Sequence, residues 1–398
     1  MLSIGAFLPA APDWRLDWSG IDAAFAWVRA MRGSTQDPIH HAEGDVWVHT
    51  RMVVEELLGL PEWRALPERE RLITFAAALL HDVAKPQTRE EIDGRIGNPH
   101  HSGIGAKEAR RILWEMDLPF RLREQVCAIV AVHQIPFFLV ERLGTDRAWQ
   151  ADRALTGTSL AVPNRLLALV AEADARGRIS ADRDRILDNV ALFREMAKDL
   201  GCYEGPFPFY NDHARFAYFL DAEQHRPHVA LHDTTSSDFT VTIMSGVPGS
   251  GKSSWITQAT APGGLLAGQP VVSLDALRRE MSIDPADEQG RVIQTAKERA
   301  KALLGKRRSF IWDATCLSAT MRSQVISTML DGGYRKERNA GYGARIRISY
   351  VESPMAETMR RNREREARVP DAAIERMLRR WEPPSLTECH ALVLAVTP

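Results

Sequence analysis

Apolar residues in the first half of the chain recur at the three- and four-residue spacing of helices. The clearest segments cover residues 53–58, 72–80, 126–130 and 166–173. Each segment has a histidine or an aspartate at or near one end, and these residues are His49, His81, Asp82, His133 and Asp174. The pattern predicts an all-α domain whose helices converge on a polar site.

The second half alternates between short apolar, β-branched runs and helical stretches. The runs predict strands at 239–245, 270–274, 308–313, 345–351 and 391–396. The stretches between them predict helices at 252–260, 289–304, 318–330, 354–366 and 371–380. This alternation is typical of an α/β domain with a parallel sheet covered on both faces, whose ligands bind at the carboxyl ends of the strands.

A change of composition separates the two halves. Residues 201–238 hold a Gly-Pro-Phe-Pro run, one short helical pattern and a polar turn, which are typical of a connector. A chain of 398 residues is also too long for one ordinary core. We therefore predict a multi-domain protein with an all-α domain over 1–200, a connector over 201–238 and an α/β domain over 239–398.

The composition adds limits on partners and surroundings. The formal net charge is −1, so contact with nucleic acid must come from local basic clusters. The four cysteines form no C-x-x-C pair, which favours reduced thiols. No apolar run approaches the length of a membrane span, and the first residues lack the pattern of a signal peptide. We expect a cytoplasmic protein with no membrane partner.

Histidines are concentrated in the first half, where seven of the twelve precede residue 134. A single histidine on a helix is usually a packing residue, but these follow apolar helical segments as a set. The adjacent pair His81-Asp82 is costly to bury unless another group satisfies it. Because imidazole and carboxylate are natural ligands of divalent metals, the pattern predicts a metal centre.

This arrangement resembles the HD phosphohydrolase superfamily. Its signature H…HD…H…H…D reads here as His49, His81-Asp82, His101, His133 and Asp174. The segments at 75–85, 100–106 and 172–178 are similar to the HD domain of bacterial CCA-adding enzymes, with Ala84 where that family usually has glycine. The resemblance covers roughly residues 40–180 and implies 2′,3′-cyclic phosphodiesterase and phosphatase activity.

The resemblance also implies how the ligands divide between two divalent transition-metal ions. The catalytic residue Asp82 would bridge both ions, and paired ions provide a hydroxide nucleophile near neutral pH. The other ligands would be His49, His81 and Asp174 on one ion and His101 and His133 on the second. Ligand type leaves the identity of the metals open.

Two residues near this signature keep alternatives open. Spacing alone does not separate His100 from His101, and the match to H-x-x-x-G-A favours His101. Lys85 lies one helical turn after His81. Contact with a substrate phosphate and simple solvation are equal alternatives for this lysine.

A glycine-rich segment follows the first predicted strand of the second half and opens a predicted helix. It reads Gly246-Val-Pro-Gly-Ser-Gly-Lys252-Ser253, which in this context predicts a phosphate-binding loop. Lys252 is expected to reach the outer phosphates of a nucleoside triphosphate, and Ser253 to bind Mg²⁺. The residues expected to contact the nucleotide are Gly246, Pro248, Gly249, Ser250, Gly251, Lys252, Ser253 and Ser254.

Acidic residues end two further strands. Asp275 follows the second strand, where it can accept a hydroxyl proton, and Arg278 one turn later can bind an acceptor phosphate. Asp313 ends another strand beside the expected nucleotide. The structural alternatives are an N-cap role for Asp275 and a supporting role for Asp313.

A basic segment precedes Val369-Pro370 and predicts an arginine-bearing lid. Arg361 and Arg365 are the residues expected to contact the nucleotide. For Arg361, an ordinary position at the end of a helix is the alternative.

The order of these motifs resembles polynucleotide 5′-hydroxyl kinases of the phage and bacterial RNA-repair type, over roughly 239–380. The resemblance implies that Asp275 is the general base and that Arg278 binds the 3′-phosphate of the acceptor. It also implies that Lys252 and Arg365 stabilise the phosphoryl group as it leaves ATP, GTP or another nucleoside triphosphate bound with Mg²⁺.

Both halves together resemble bacterial HD-domain/polynucleotide-kinase fusions that heal nucleic-acid ends. This resemblance implies RNA or DNA substrates, above all RNA with a 2′,3′-cyclic phosphate and a 5′-hydroxyl, and an RNA ligase as a partner. Two other hypotheses stay open. One is a nucleotide phosphohydrolase fused to a small-molecule kinase, and the other is an HD hydrolase regulated by a nucleotide-binding switch without kinase activity.

Overall fold

The computed structural model describes residues 3–139, 141, 143, 148–220, 227–232, 237–284, 287–330, 343–365 and 368–397. The chain forms two compact units, Met1–Pro208 and Phe209–Pro398, each with its own hydrophobic core. The short helix of the predicted connector, Asp212–Leu220, lies in the second unit.

The first unit is helical, as the periodicity predicts. Its helices are α1 (Trp18–Ala24), α2 (Ala26–Met31), α3 (Val46–Gly59), α4 (Pro61–Arg64), α5 (Glu68–Leu80), α6 (Lys85–Thr88), α7 (His101–Glu115), α8 (Phe120–Val132), α9 (Ile135–Phe138), α10 (Ala148–Ser159), α11 (Asn164–Arg176) and α12 (Arg183–Asp199). A small antiparallel hairpin, β1 (Glu90–Ile92) and β2 (Arg95–Gly97), was not predicted. Its turn residues Asp93 and Gly94 both have positive φ, which is the signal for a tight hairpin.

The buried faces of α3, α5, α8 and α11 contact one another and form the centre of this unit. Gly177, directly after α11, packs against the α3 backbone, because a Cβ there would lie 2.7 Å from the Val53 nitrogen. This close approach brings the last turn of α11, with Asp174, beside the first turns of α3, with His49. Residues far apart in sequence therefore reach one site.

The second unit is an α/β domain. Its helices are α13 (Asp212–Leu220), α14 (Lys252–Thr260), α15 (Leu274–Glu280), α16 (Gln289–Gly305), α17 (Ala319–Leu330), α18 (Met355–Glu364) and α19 (Asp371–Leu378). Its strands are β3 (Thr240–Ser245), β4 (Val271–Ser273), β5 (Phe310–Asp313), β6 (Arg345–Glu352) and β7 (Ala391–Val396). Helix α15 was not predicted, because its seven residues follow β4 without a loop.

The five strands form one parallel sheet in the order β4-β5-β3-β6-β7. The predicted combination of a helical domain and a parallel-sheet domain is confirmed. Because β3 pairs with β5 and β5 with β4, the segments that follow these three strands leave the same edge of the sheet. These segments carry the glycine-rich loop, Asp275 and the region after Asp313.

Within the described ranges, no single helix has the length and hydropathy of a membrane span. One sharply bent pair of helices meets those criteria jointly, by length and composition: Trp149–Ser159 with Asn164–Arg176.

Candidate metal centre and phosphate-binding site

The first unit brings all six residues of its predicted metal signature into one buried cluster. His49 lies in α3, His81 and Asp82 directly follow α5, and His133 directly follows α8. His101 is the first residue of α7, and Asp174 lies in the last turn of α11. The ends of five separate helical segments therefore position the cluster.

Asp82 lies at the centre, with different histidines on its two oxygens. Its Oδ2 lies 3.1 Å from His81 Nε2 and 3.7 Å from His49 Nε2. Its Oδ1 lies 3.4 Å from His101 Nε2 and 3.9 Å from His133 Nε2. One carboxylate thus contacts two groups of imidazoles, an arrangement suited to bridging two ions.

Backbone carbonyls orient three of the histidines. The Nδ1 atoms of His81, His101 and His133 lie 2.8, 2.8 and 2.9 Å from carbonyl oxygens three residues earlier. A carbonyl accepts only, so each Nδ1 carries the proton and each Nε2 keeps its lone pair. The lone pairs are directed towards Asp82, as ligands to a metal require.

The chemistry of the cluster fits divalent cations. His49 Nε2 lies 3.1 Å from Asp174 Oδ1 and 3.4 Å from His81 Nε2. In both contacts two atoms face each other with their lone pairs. Ligand atoms about 2.1 Å from a shared ion lie roughly 3.0 to 3.4 Å from each other, which matches these separations. Among the described residues, neither Oδ1 of Asp82 nor Nε2 of His133 has a hydrogen-bond partner. A bound cation would satisfy these buried acceptors.

Two buried cations balance the carboxylates. The Lys85 ammonium lies 2.7 Å from Asp82 Oδ2, and Arg178 makes two hydrogen bonds of 3.0 and 3.1 Å to Asp174. Burial opposes ionisation of both aspartates, but His81 and Lys85 hold the pKa of Asp82 well below its usual value, and Arg178 does the same for the pKa of Asp174. The solvated alternative for Lys85 is wrong, because only 3% of this residue is exposed.

Burial keeps two of the imidazoles neutral. It lowers the pKa of His133 to about 3 and also lowers the pKa of His101. For His81, burial is outweighed by the charge of Asp82, which raises the pKa of that imidazole. Metal binding requires neutral imidazoles, so protons compete with an ion more strongly at His81 than at His101 and His133.

The structure separates the neighbouring histidines 100 and 101. His101 is buried with its Nε2 in the cluster, whereas His100 is exposed, has a positive φ of 59° and precedes α7 as its N-cap. The motif match that favoured His101 agrees with this placement.

Sequence reasoning missed three residues around the cluster: His41, Glu43 and Arg178. Glu43 lies 2.8 Å from His41 Nδ1 and 2.9 Å from His49 Nδ1. Arg178 stands in the segment similar to CCA-adding enzymes, which was its only sequence signal. The loop containing His41 and Glu43 has no periodicity that could reveal their positions.

In the second unit, the glycine-rich loop connects β3 to α14 as predicted. Gly246, Gly249 and Gly251 all have positive φ. A Cβ would lie 2.4 Å from the Val351 carbonyl oxygen at Gly246 and 2.4 Å from the Thr358 carbonyl oxygen at Gly249. The loop is therefore packed between β6 and α18, and glycine is needed for both conformation and space.

Lys252 is the first residue of α14, and its ammonium lies over the loop. It donates hydrogen bonds to the carbonyl oxygens of Gly246 (2.8 Å) and Val247 (3.1 Å). Burial, reinforced by the charge of Arg365 and opposed by Asp313 and Asp275, lowers the pKa of Lys252 to about 8. These charges therefore lie close enough to act on one ammonium group.

The other loop residues divide between a buried wall and an exposed face. Pro248 and Ser250 are buried, and the carbonyl oxygen of Ser250 accepts a 3.2 Å hydrogen bond from Ser353. Ser253 and Ser254 are exposed at the start of α14, where a nucleotide and Mg²⁺ can reach them.

Asp275 and Arg278 form an ion pair on α15, one turn apart. Asp275 is in the first turn but is not the N-cap, which is Ser273, so the N-cap alternative is wrong. The side chain of Asp275 is 68% exposed and is accessible to an acceptor. Arg278 also donates a 2.8 Å hydrogen bond to Gln289.

Asp313 is connected to the same helix through Ser273, whose hydroxyl donates a 2.8 Å hydrogen bond to the Asp313 carboxylate. The same hydroxyl accepts from the Ala276 amide as the cap of α15. Burial raises the pKa of Asp313. Asp313 therefore has a supporting contact as well as its position beside Lys252.

The two lid arginines differ in placement. Arg361 lies on α18, 3.0 Å from the Ser353 hydroxyl and 2.5 Å from Glu357, and its guanidinium borders Gly251. Arg365 directly follows α18, is exposed, and acts electrostatically on Lys252. Arg361 thus contacts a residue that supports the loop and is more than a solvated arginine at a helix end.

Comparison with known families agrees with the two folds. Residues 45–176 match the family model described as HD domain, and residues 241–384 match the model described as AAA domain. A curated relative, the Multifunctional CCA protein of Halorhodospira halophila (strain DSM 244 / SL1), is 31% identical over 106 residues. That match covers 27% of this chain and 23% of the relative.

Three solved structures are similar to about two fifths of the chain. A putative kinase from Chloroflexus aurantiacus J-10-fl is 17% identical, with a TM-score of 0.32, and covers 41% of this chain and 87% of that chain. A sugar kinase from Janibacter sp. HTCC2649 is 17% identical, with a TM-score of 0.28 and coverages of 40% and 87%. A gluconokinase from Sinorhizobium meliloti 1021 is 18% identical, with a TM-score of 0.27 and coverages of 41% and 86%.

Both family models fall within separate compact units, and each contains the candidate site described above. The chain therefore joins an HD hydrolase domain to a P-loop kinase-like domain.

Proposed function

We propose that this chain heals the two ends of a broken nucleic-acid strand. The HD domain would hydrolyse a 2′,3′-cyclic phosphate and remove the remaining terminal phosphate. The P-loop domain would phosphorylate the 5′-hydroxyl. The products, a 3′-hydroxyl and a 5′-phosphate, are the ends that a ligase requires.

The observation that carries the hydrolase half is the buried carboxylate of Asp82, whose two oxygens lie among different histidines. The residues that would hold two divalent ions are His49, His81, Asp82, His101, His133 and Asp174. Bound ions would supply a hydroxide nucleophile and polarise the phosphate. Lys85 would be displaced from Asp82 as the ions bind, and its ammonium would then be available to an oxygen of the substrate.

The kinase half is supported by the Asp275–Arg278 pair, whose carboxylate is exposed at the edge of the sheet that carries the phosphate loop. Asp275 would accept the proton of the attacking 5′-hydroxyl. Arg278 would bind a phosphate of the acceptor through its guanidinium, which favours an acceptor that bears phosphate. Lys252 and Arg365 would balance the charge of the phosphoryl group during transfer, with Ser253 binding Mg²⁺.

The test uses intact protein and one RNA oligonucleotide with a 5′-hydroxyl and a 2′,3′-cyclic phosphate. Incubation with labelled ATP and Mg²⁺ should transfer label to the 5′ end. Incubation with Mn²⁺, Co²⁺, Ni²⁺ or Zn²⁺, one at a time, should yield a 3′-hydroxyl with at least one of them. A DNA oligonucleotide of the same sequence measures the preference between the two nucleic acids.

The acceptor series separates the proposal from its alternatives. A nucleoside 3′-monophosphate, a dinucleotide, an oligonucleotide and a free nucleoside are compared at equal concentration. Faster transfer to the phosphate-bearing nucleotides than to the nucleoside is expected from Arg278. Transfer only to small molecules would favour a small-molecule kinase. No phosphorylated product, together with hydrolysis that changes with ATP, would identify a regulatory switch.

A further inference from the structure

The four histidines around Asp82 are oriented by two different kinds of partner. Those at 81, 101 and 133 have their Nδ1 atoms on neutral backbone carbonyls of their own segments. The Nδ1 of His49 instead lies 2.9 Å from Oε1 of Glu43, a charged side chain in the loop before α3. One ligand of the cluster is therefore set apart from the other three.

Glu43 is itself fixed by two hydrogen bonds and contacts a second imidazole. Its Oε1 lies 2.8 Å from His41 Nδ1 as well as 2.9 Å from His49 Nδ1, and its Oε2 accepts a 2.9 Å hydrogen bond from the Ile179 amide. Only 1% of its side chain is exposed. A buried carboxylate with donors on both oxygens is ionised and has a fixed orientation.

The contact with Ile179 connects Glu43 to the opposite side of the cluster. The neighbouring residue Ala42 donates a 3.0 Å hydrogen bond to the Ile179 carbonyl, so two hydrogen bonds with Ile179 hold this loop against the segment after α11. Arg178, which binds Asp174, directly precedes Ile179. The same short segment thus supports both Asp174 and His49.

The consequence for His49 follows from its two nitrogens. A proton on Nδ1, the nitrogen 2.9 Å from Glu43, leaves the lone pair on Nε2, which lies 3.1 Å from Asp174 Oδ1 and 3.7 Å from Asp82 Oδ2. A carboxylate carries a full charge and therefore polarises the imidazole more than a carbonyl does. His49 is then a stronger ligand than an imidazole held by backbone alone.

We propose that Glu43 is a positioning residue for metal binding, which holds His49 in the Nδ1–H tautomer with Nε2 directed at the ion shared with His81, Asp82 and Asp174. The proposal rests on the metal centre of the proposed hydrolase and is independent of the identity of its substrate. It predicts that one ion of the pair depends on Glu43 more than the other does.

A rival assignment is a separate ion bound by His41, Glu43 and His49, whose ligand atoms lie close together. The 2.8 Å contact between His41 Nδ1 and Glu43 is a hydrogen bond, and the Lys85 ammonium lies 3.5 Å from the second nitrogen of His41. An ion there would require His49 to lose its Nδ1 proton while its Nε2 binds another cation. The observed contacts therefore favour orientation over a third site.

The experiment titrates metal-stripped, full-length protein with Co²⁺, whose visible absorption reports coordination, in the presence of a competing chelator. Glu43→Gln is compared with the wild-type protein and with Glu172→Gln, a control carboxylate paired with Arg176 and Arg194. We expect Glu43→Gln to weaken one Co²⁺ binding step about 10- to 100-fold and to leave the other within about threefold. The control should match the wild-type protein in both steps.

A second measurement identifies the tautomer. In Zn²⁺-loaded protein labelled with ¹⁵N-histidine, the Nδ1–H resonance of His49 should be protected from exchange, and this protection should be lost in Glu43→Gln. Glu43→Asp retains the charge but retracts the carboxylate from His49, so it should weaken the same Co²⁺ step by about tenfold. It replaces Glu43→Gln should the latter fail to fold.

Three outcomes would overturn the proposal. The first is unchanged Co²⁺ affinity and an unchanged His49 resonance with a lower free energy of unfolding, which would make Glu43 a structural residue only. The second is a wild-type protein that binds three Co²⁺ ions, of which Glu43→Gln loses one and leaves the other two steps unaltered, which would indicate a third site. The third is equal weakening of every step. None of these measurements uses nucleic acid, so failure of the end-healing proposal would leave the result interpretable.

Discussion

The two candidate sites are constructed by opposite means. The metal cluster in the first unit is made of buried side chains, whose Nδ1 atoms are occupied by fixed acceptors and whose remaining lone pairs converge. The phosphate loop in the second unit is made of backbone, and its specific residues are the glycines that allow positive φ. The first site depends on which atoms the side chains present, and the second on the absence of side chains.

This difference predicts which substitutions each site tolerates. The cluster should fail when one charge is removed at constant shape. The loop should fail when one methyl group is added at constant charge. Substitutions in both sites test this difference in tolerance, and the strongest predicted losses come first.

Asp82→Asn changes charge with almost no change of shape. Because Asp82 contacts both imidazole groups, we expect the loss of tightly bound metal and a fall of at least about 100-fold in cyclic-phosphate hydrolysis, with kinase activity within about twofold. Metal content by mass spectrometry and end-group analysis of the RNA check both halves. Asp188→Asn, on the exposed face of α12, is the control. Retention of metal by Asp82→Asn would contradict a bridging role.

Lys252→Met removes the corresponding charge from the second unit. The ammonium is the group nearest the mouth of the loop, so we expect a loss of at least about 100-fold in phosphoryl transfer and no change in hydrolysis. Label transfer from ATP measures the effect, and Lys301→Met on the exposed side of α16 is the control. A parallel loss of hydrolysis would show that the two sites are coupled.

Gly249→Ala adds one methyl group to the loop without changing its charge. Its φ is +88°, and its Cβ would lie 2.4 Å from the Thr358 carbonyl oxygen, so we expect loss of ATP binding and a fall of about 2 to 3 kcal/mol in the free energy of unfolding. Gly268→Ala has φ of +69° but meets nothing within 4 Å, and should cost only about 1 kcal/mol. Equal costs at the two positions would refute the close packing of the loop.

A second group of buried imidazoles, His213 and His390, contacts the backbone and each other in the second unit. His390 Nδ1 accepts a 2.9 Å hydrogen bond from the Ile346 amide, and its Nε2 lies 2.8 Å from His213 Nδ1. An acceptor Nδ1 requires neutral His390 to carry its proton on Nε2. Burial lowers the pKa of His390 to about 3, so the imidazole is neutral, and the Ile346 amide and His213 occupy both of its nitrogens.

The sign of the pH dependence follows from that pKa. Below pH 6.5 the unfolded state binds a proton on His390 that the folded state refuses, so folding stability falls as the pH decreases from 6.5 towards 3. At pH 5 the His390 contribution to this loss is about 2 kcal/mol. Urea-dependent hydrogen exchange of the β6 amides at pH 7 and pH 5 measures it. In His390→Gln the difference between the two pH values should shrink by that amount, and an unchanged difference would assign the loss to other groups.

Arg178→Lys keeps the charge beside Asp174 but loses the fork of two hydrogen bonds. We expect Co²⁺ affinity to fall about 3- to 10-fold, less than for Glu43→Gln, because Asp174 keeps a positive neighbour. Arg176→Lys, which pairs with Glu172 on the surface of the same helix, is the control. A greater loss of Co²⁺ affinity than that of Glu43→Gln would contradict the proposal that His49 depends on Glu43 more than Asp174 depends on Arg178.

Much of the fold and of each site could be predicted because ligands follow apolar segments directly. His81, His133 and Asp174 stand at the ends of amphipathic helices, and the glycine loop stands between a β-branched strand and a helix. The hairpin at 90–97 and helix α15 were missed, since both are short and one of them follows a strand without a break.

The supporting residues could not be predicted in the same way. Glu43 contacts Ile179 across 136 positions, and this pairing exists only because α11 and α3 approach closely at Gly177. Lys85 looks like a surface lysine by sequence, yet burial beside Asp82 and Gln36 gives it a place in the cluster. Such contacts depend on tertiary packing, which local patterns do not contain.

The hydrogen bonds from Lys252 to the carbonyls of Gly246 and Val247 have a consequence for selectivity. An ammonium that already has two good acceptors exchanges them only for an anion that offers more charge and more contacts. Single phosphate ions, abundant in any cell, are poor competitors for such a loop, whereas the tail of a nucleoside triphosphate is a good one. With a nucleotide bound as proposed, the loop would discriminate by the length of the polyphosphate before any base or sugar is recognised.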